Sequence, residues 1–261
     1  MAHGLMRLDG EIAIVTGAGR GLGAEIARAL AGAGAAVAVT ARQLGSAMAI
    51  ADQIKSASGK AAAVSCDVAN AGSIAAAVAA TKDEFGAPTI LVNNAGVIQP
   101  LGPLHAADDE AIAANIEINL LGPAMMAQAV LPAMEAAGRG TIVNISSGAA
   151  QKAIPGWGAY CVAKAGLAML GRVLAAEHEA NGIRVFGFAP GIVDTGMQAD
   201  IRAAGIGPTA TLTPDDLAHP REPAAAVVFL CTQGSTPFAG DEVDVRDPAF
   251  RAAAGLAATP A

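Results

Sequence analysis

Tyr160 is the only tyrosine in the chain, and Lys164 follows it by four residues at the start of an Ala-rich helical stretch. Side chains at i and i+4 share one helical face. An unperturbed phenol titrates near about pH 10 and exchanges protons poorly at neutral pH, whereas a neighbouring ammonium stabilises the phenolate and brings the group towards the range of efficient acid–base catalysis. Just upstream, an apolar run over 141–145 ends in Ser146-Ser147, two hydroxyls in the same stretch of sequence. The i, i+4 pair alone also arises as a partly buried Tyr beside a solvated Lys, so it needs a frame.

A second chemical feature lies near the N-terminus. An apolar run over 12–16 leads into Gly17-Ala18-Gly19-Arg20-Gly21-Leu22-Gly23, and a helical pattern begins at once. Glycines there let the backbone approach a pyrophosphate, and the helix start offers free N–H groups and a positive dipole end. This is a dinucleotide-binding arrangement, written TGxxxGxG, with Leu22 where the GxGxxG form carries its third glycine. After the second apolar run, 36–40, Ala41 cannot hold ribose hydroxyls, and no Asp or Glu follows until Asp52. Arg42, with Arg20 inside the turn, offers a cationic fork for a 2′-phosphate, which points to NADP(H) in preference to NAD(H).

Positioning these groups requires alternating strands and helices. Short, β-branched runs over 12–16, 36–40, 62–66, 90–92, 141–145, 184–188 and 242–245 read as strands of a parallel sheet buried on both faces. Helical periodicity covers 22–33, 44–56, 73–85, 108–137, 159–180 and 223–232. The alternation predicts right-handed βαβ crossovers and a Rossmann-like, doubly wound α/β sheet in a single domain over 1–261. Its cofactor-binding half spans about 9–100 and its catalytic and substrate-binding part about 101–250. The tail after Asp247 has no clear pattern.

With these features in place, the chain resembles the classical short-chain dehydrogenases/reductases over nearly its whole length. The ordered matches are TGAGRGLG, Asp67-Val68, Asn93-Asn94-Ala95-Gly96, Asn119, Ser147, Tyr160, Lys164 and Pro190-Gly191-Ile192-Val193-Asp194-Thr195. The family's spacing selects Ser147, thirteen residues before Tyr160. The resemblance implies that Tyr160 exchanges a proton with the substrate oxygen and that Ser147 hydrogen-bonds it. Lys164 would hold the nicotinamide ribose and lower the pKa of Tyr160, and Asn119 would position a relay water. Asp67 and Val68 would meet adenine, Asn94 the neighbouring ribose region, and Val193 and Thr195 the nicotinamide carboxamide. Ala95, Gly96, Pro190 and Gly191 would be further cofactor-binding residues. Relatives often close the last strand with Asp-Gly-Gly, whereas the corresponding stretch here reads Gly240-Asp241-Glu242-Val243-Asp244-Val245-Arg246-Asp247-Pro248.

Composition narrows the function further. With 261 residues, 53% hydrophobic and 15% charged, the chain is globular rather than disordered. A formal charge of −7 and 3% aromatics argue against a nucleic-acid partner. The stretch 1–9 has no apolar core of a secretory signal, and the least charged later stretches are too interrupted for a membrane span. Cys66, Cys161 and Cys231 form neither a metal spacing nor a disulfide framework, which suits a reducing cytoplasm. His3, His105, His178 and His219 share no motif, so no metal site is expected.

Around Tyr160, the expected pocket walls are 97–101, Ala149, Ile154, Trp157 and Met197, largely apolar with Gln99 and Lys152 as exceptions. They suit a neutral, moderately hydrophobic ketone, diketone or secondary alcohol. Reduction of 3-oxoacyl thioesters is the alternative, and would want a basic patch that the sequence does not concentrate. A dinucleotide sensor or scaffold is a third reading, but it has no need of Ser147, Tyr160 and Lys164 together. Surplus apolar surface on 108–137 and 159–180 predicts subunit contacts, and the family resemblance implies that these make a homotetramer or homodimer.

Overall fold

The computed structural model describes residues 6–257. Seven strands, β1 (Ile12–Val15), β2 (Ala36–Ala41), β3 (Lys60–Ser65), β4 (Ile90–Asn93), β5 (Gly140–Ile145), β6 (Ile183–Ala189) and β7 (Glu242–Asp244), form one sheet in the order β3-β2-β1-β4-β5-β6-β7. Every pairing is parallel. Alternate residues of one strand serve opposite faces: Ala13 and Val15 pack with Leu22, Ile26 and Leu30, while Ile14 packs with Ile74, Met126 and Val130. The sheet is therefore covered on both sides, as its unalternating apolar strands require.

The first face carries α1 (Gly21–Gly32), α2 (Leu44–Ser56), α8 (Arg221–Leu230) and α9 (Pro248–Ala253). The second carries α3 (Ala71–Phe85), α5 (Gly122–Ala137) and α6 (Gly158–His178). By length and composition alone, Gly158–Asn181 could cross a membrane. Here Ala163, Leu167 and Leu174 of that segment are buried within the protein.

The helix expected over 108–137 is divided. α4 (Asp109–Ile116) passes through a π-helical turn, Glu117–Leu121, before α5 begins. Pro123 lacks the N–H that a continuous ladder needs. A Cβ at Gly122 would also stand 2.8 Å from the Val68 carbonyl oxygen, so the restart is tied to a close contact with the loop after β3. α7 (Gly196–Ala204) and α9 are further elements. The tail after Asp247 docks through α9: Asp247 accepts the Phe250 N–H at 2.9 Å, Pro248 opens the first turn, and Phe250 enters the core. His3 and residues 258–261 lie outside the described residues.

Arg184 ties β6 to the end of α8. Its guanidinium donates to Ser235 Oγ and Thr141 Oγ1, each at 2.8 Å, and to the Thr232 and Cys231 carbonyls. Arg184→Met would strand these acceptors, at a cost of about 1–3 kcal/mol. A thermal melt should show a Tm lowered by several degrees, and an unchanged Tm would deny the anchor.

Candidate active site

Strand order reverses between β1 and β4, and the crevice above their C-terminal ends is where a doubly wound sheet binds its ligand. A cleft of about 2070 Å³ opens there. It gathers Gly17, Gly19, Arg20, Gly21, Leu22, Gly23, Arg42, Asp67, Val68, Asn94, Ala95, Gly96, Pro190, Gly191, Val193 and Thr195 along one arm. Ser147, Tyr160, Lys164, Ala149, Ile154, Trp157 and Met197 line the same cleft. Asn119 is buried behind it and does not line it.

The glycine turn is a cradle that side chains would fill. A Cβ at Gly19 would stand 2.4 Å from Ser46 Oγ, and one at Gly23 would stand 2.6 Å from the Gly17 carbonyl oxygen. Gly17 has φ +63° and Gly21 φ +57°, values that β-carbon-bearing residues rarely adopt. Thr16 Oγ1 accepts the Asn94 and Ala95 amides at 2.9 and 3.0 Å, while Asn94 Nδ2 donates to the Thr16 and Gly17 carbonyls at 2.8 and 3.3 Å. Asn94 thus braces the turn, a structural duty beside the ribose contact expected of it. These features fit a dinucleotide pyrophosphate on the N-terminus of α1. Arg42 is exposed at the same arm, close to the first turn of α2, where Ser46 also lines the cleft. Sequence reasoning missed Ser46, although its place at the N-terminus of a helix after β2 was the available signal.

At the other arm, β5 delivers Ser146 and Ser147, and α6 delivers Tyr160 and Lys164. Lys164 Nζ donates to the Ile145 carbonyl at 2.7 Å and lies 5.6 Å from the centre of the Tyr160 ring. Burial pushes the Tyr160 phenol up to about 12, opposed by the Ser147 hydroxyl. The same burial brings the Lys164 ammonium down to about 8, opposed by the carboxylate of Glu242. Burial is thus the largest influence on the Tyr160 phenol and acts opposite to the depression expected from Lys164.

Asn119 sits in the π-helical turn with its side chain fully engaged. Its Oδ1 accepts the Val97 N–H at 3.2 Å, and its Nδ2 donates to Val97 and Asn115 acceptors at 2.9 to 3.0 Å. The side chain fixes the loop after β4, so any relay water would have to use a main-chain group there.

Trp157 meets Tyr160 edge-on, with ring centroids 6.1 Å apart and planes at 82°. Its Nε1 donates to the Ile206 carbonyl at 3.1 Å, and a Cβ on Gly207 would fall 2.4 Å from that same nitrogen. The segment after α7 therefore closes onto Trp157. Ala149, Ile154, Trp157 and Met197 join Tyr160, Ile98, Ile201 and Ile206 in one apolar cluster. Of the stretch 97–101, only Val97 lines the cleft. The contributions of Ile201 and Ile206 escaped sequence reasoning because α7 was not anticipated.

A parallel sheet whose switch-point crevice is floored with glycines and walled by Tyr, Lys and Ser is the framework of a dinucleotide-dependent enzyme. The short chain dehydrogenase family matches residues 11–205. Cis-4-hydroxycyclohexanecarboxylate dehydrogenase of Sinomonas cyclohexanicum is 40% identical over 234 residues, covering 86% of this chain and 90% of the relative. D-threitol dehydrogenase of Mycolicibacterium smegmatis is 39% identical, covering 91% and 92%. Among solved structures, a gluconate 5-dehydrogenase from Burkholderia cenocepacia in complex with NADP and tartrate superposes with a TM-score of 0.81 at 31% identity, covering 94% and 96%. The chain belongs to the short-chain dehydrogenase family, oxidoreductases that act on CH–OH and C=O groups with a nicotinamide dinucleotide.

Proposed function

We propose that this protein interconverts a neutral, moderately hydrophobic ketone or diketone and its secondary alcohol with NADP(H), with Tyr160 as the general acid and base. The observation that carries this reading is the buried Tyr160 hydroxyl, flanked by Ser147 and Lys164, at the meeting of the glycine-lined arm and the apolar cluster. A bound nicotinamide supplies or accepts the hydride. The chain's own work is to orient the substrate and manage its proton. Ser147 donates to the carbonyl oxygen and fixes it against Tyr160. Tyr160, protonated at neutral pH, gives its proton to the oxygen as negative charge develops, and takes it back in the oxidative direction. Lys164 holds the ribose hydroxyls and offsets the charge left on Tyr160. Ile154, Trp157, Met197 and the segment closing on Trp157 exclude water.

The cyclic secondary alcohol in the name of the Sinomonas relative, and the NADP in the Burkholderia complex, support this class and this cofactor. Arg42 and Arg20 flank the adenosine end, and no Asp or Glu follows β2 until Asp52, which favours the 2′-phosphate. Trp157, the sole tryptophan, reports binding by energy transfer to reduced nicotinamide. Titrating NADPH and NADH in parallel should show NADPH the tighter ligand. Arg42→Ala should weaken NADPH about 10- to 100-fold, the loss of one charge-assisted hydrogen bond, and leave NADH unchanged. Equal affinities in the wild type would overturn the phosphate assignment. Turnover of 3-oxoacyl thioesters but of no simple ketone would favour the alternative substrate class.

The same reading includes a single domain in the cytoplasm, in keeping with free thiols at Cys66, Cys161 and Cys231. It also includes a homotetramer, supported by Leu121, Val162, Met169 and Val173, which are large apolar side chains exposed around α5 and α6. Light scattering after size exclusion should give four times 25.6 kDa. A monomer mass would refute the assembly.

A further inference from the structure

Glu242 is a half-buried carboxylate at the start of β7 that the proposed reaction leaves without a task. It belongs to the stretch in which the chain departs from its relatives' Asp-Gly-Gly ending. Ser146 Oγ donates to Glu242 Oε2 at 2.5 Å. Ser146 and Ser147 are consecutive as the chain leaves β5, so their side chains diverge, and the hydroxyl not aimed at substrate holds this carboxylate. The seat exists because β6 offers Gly187 opposite: the two residues are paired in register, and a Cβ at 187 would lie 1.6 Å from Glu242 Oε1. Glu242, Ser146, Lys164 and Arg172 all line the same cleft.

We propose that Glu242 is a positioning residue acting through Lys164: seated against Ser146 behind the reacting face, its carboxylate supplies the negative charge that keeps Lys164 an ammonium. The inference rests on the role assigned to Lys164 in the proposed reaction. Its geometric basis is a short run of contacts along β5: Lys164 Nζ donates to the Ile145 carbonyl at 2.7 Å, and the next residue, Ser146, donates to Glu242, so the carboxylate and the ammonium are held on consecutive residues in one cleft. Burial works against the charge on Lys164, and the Glu242 carboxylate works for it. The groups facing Glu242 are Ser146 from β5 and the cations Lys164 and Arg172 from α6, and all three favour its ionised form against its own burial. β6 presents only the side-chain-free Gly187. On β7, Asp244 is occupied by Arg246 at 2.5 Å, and Asp241 is exposed.

The test uses the full chain, and its first readout needs no known substrate. Lys164 is one of five lysines, so ¹³Cε-lysine spectra with Lys164→Arg as the assignment control can follow its titration directly. Removing a nearby anion lowers an ammonium's pKa. In Glu242→Gln the Lys164 midpoint should fall by about one pH unit, a tenfold loss of proton affinity. The alkaline limb of kcat/KM should move the same way, and Glu242→Asp should restore much of both. A folded Glu242→Gln whose Lys164 midpoint is unchanged overturns the proposal, as does a shifted midpoint with a superimposable pH–rate profile. If Glu242→Gln does not fold, Ser146→Ala releases the carboxylate without removing charge. It should lower the Lys164 midpoint by a smaller amount, and no change would be equally fatal. Should the enzyme turn over no ketone at all, the lysine titration still decides the electrostatic claim, separately from the reaction.

Discussion

Tyr160→Phe should lower ketone turnover by roughly 10²- to 10⁴-fold, the usual contribution of a positioned acid–base group, while dinucleotide affinity stays within about twofold. The substitution removes one oxygen and keeps the ring. The edge-on contact with Trp157 and the packing against Ile98 and Ala149 survive, so the pocket keeps its shape. What disappears is the only phenol in the chain. Ser147 can still hold a carbonyl oxygen but is a far poorer proton donor. Steady-state turnover and a Trp157 energy-transfer titration on the same preparation separate the two effects. Retained turnover would remove Tyr160 from the chemistry.

Lys164→Met should be damaging in a different way, striking both binding and turnover. Methionine fills similar space beside Tyr160 but brings no charge and no donor. The Ile145 carbonyl loses its partner at 2.7 Å, and the ribose loses a charge-assisted hydrogen bond worth about 1.5–3 kcal/mol. The expected result is dinucleotide binding weakened about tenfold or more, with turnover down at least about 10²-fold. Isothermal titration and initial rates at saturating dinucleotide resolve these. A variant with weakened binding and normal turnover would make Lys164 a ribose clamp only, with no part in charging Tyr160.

The sheet and most helices were legible in the sequence because apolar β-branched runs alternate with helical periodicity at a spacing that only βαβ units satisfy. Helix 44–56 falls where its pattern placed it. The break at Glu117–Leu121 was not legible, since apolar periodicity runs through it; only Pro123 and the Val68 contact of Gly122 explain it. α7 was missed because its sequence is short and punctuated by glycines on either side. The site was readable where backbone needs dictate residue type, as at Gly17, Gly19 and Gly23. It was unreadable where a role depends on what a side chain meets in space. Asn94 spends its amide on the glycine turn, Asn119 on the Val97 loop, and the phenol of Tyr160 is governed by burial that spacing cannot report. Glu242 was invisible for the same reason: its partners Ser146 and Gly187 lie on two other strands.

The central claim is that Tyr160, Ser147 and Lys164 make this cleft a carbonyl-reducing site. Its most direct test supplies NADPH deuterated at the transferable position together with a panel of neutral ketones and diketones, with mass spectrometry of the products. The account predicts one deuterium on the carbinol carbon with the wild type and a strongly reduced yield with Tyr160→Phe. NADPH that binds, as Trp157 reports, yet delivers deuterium to no carbonyl compound would contradict it.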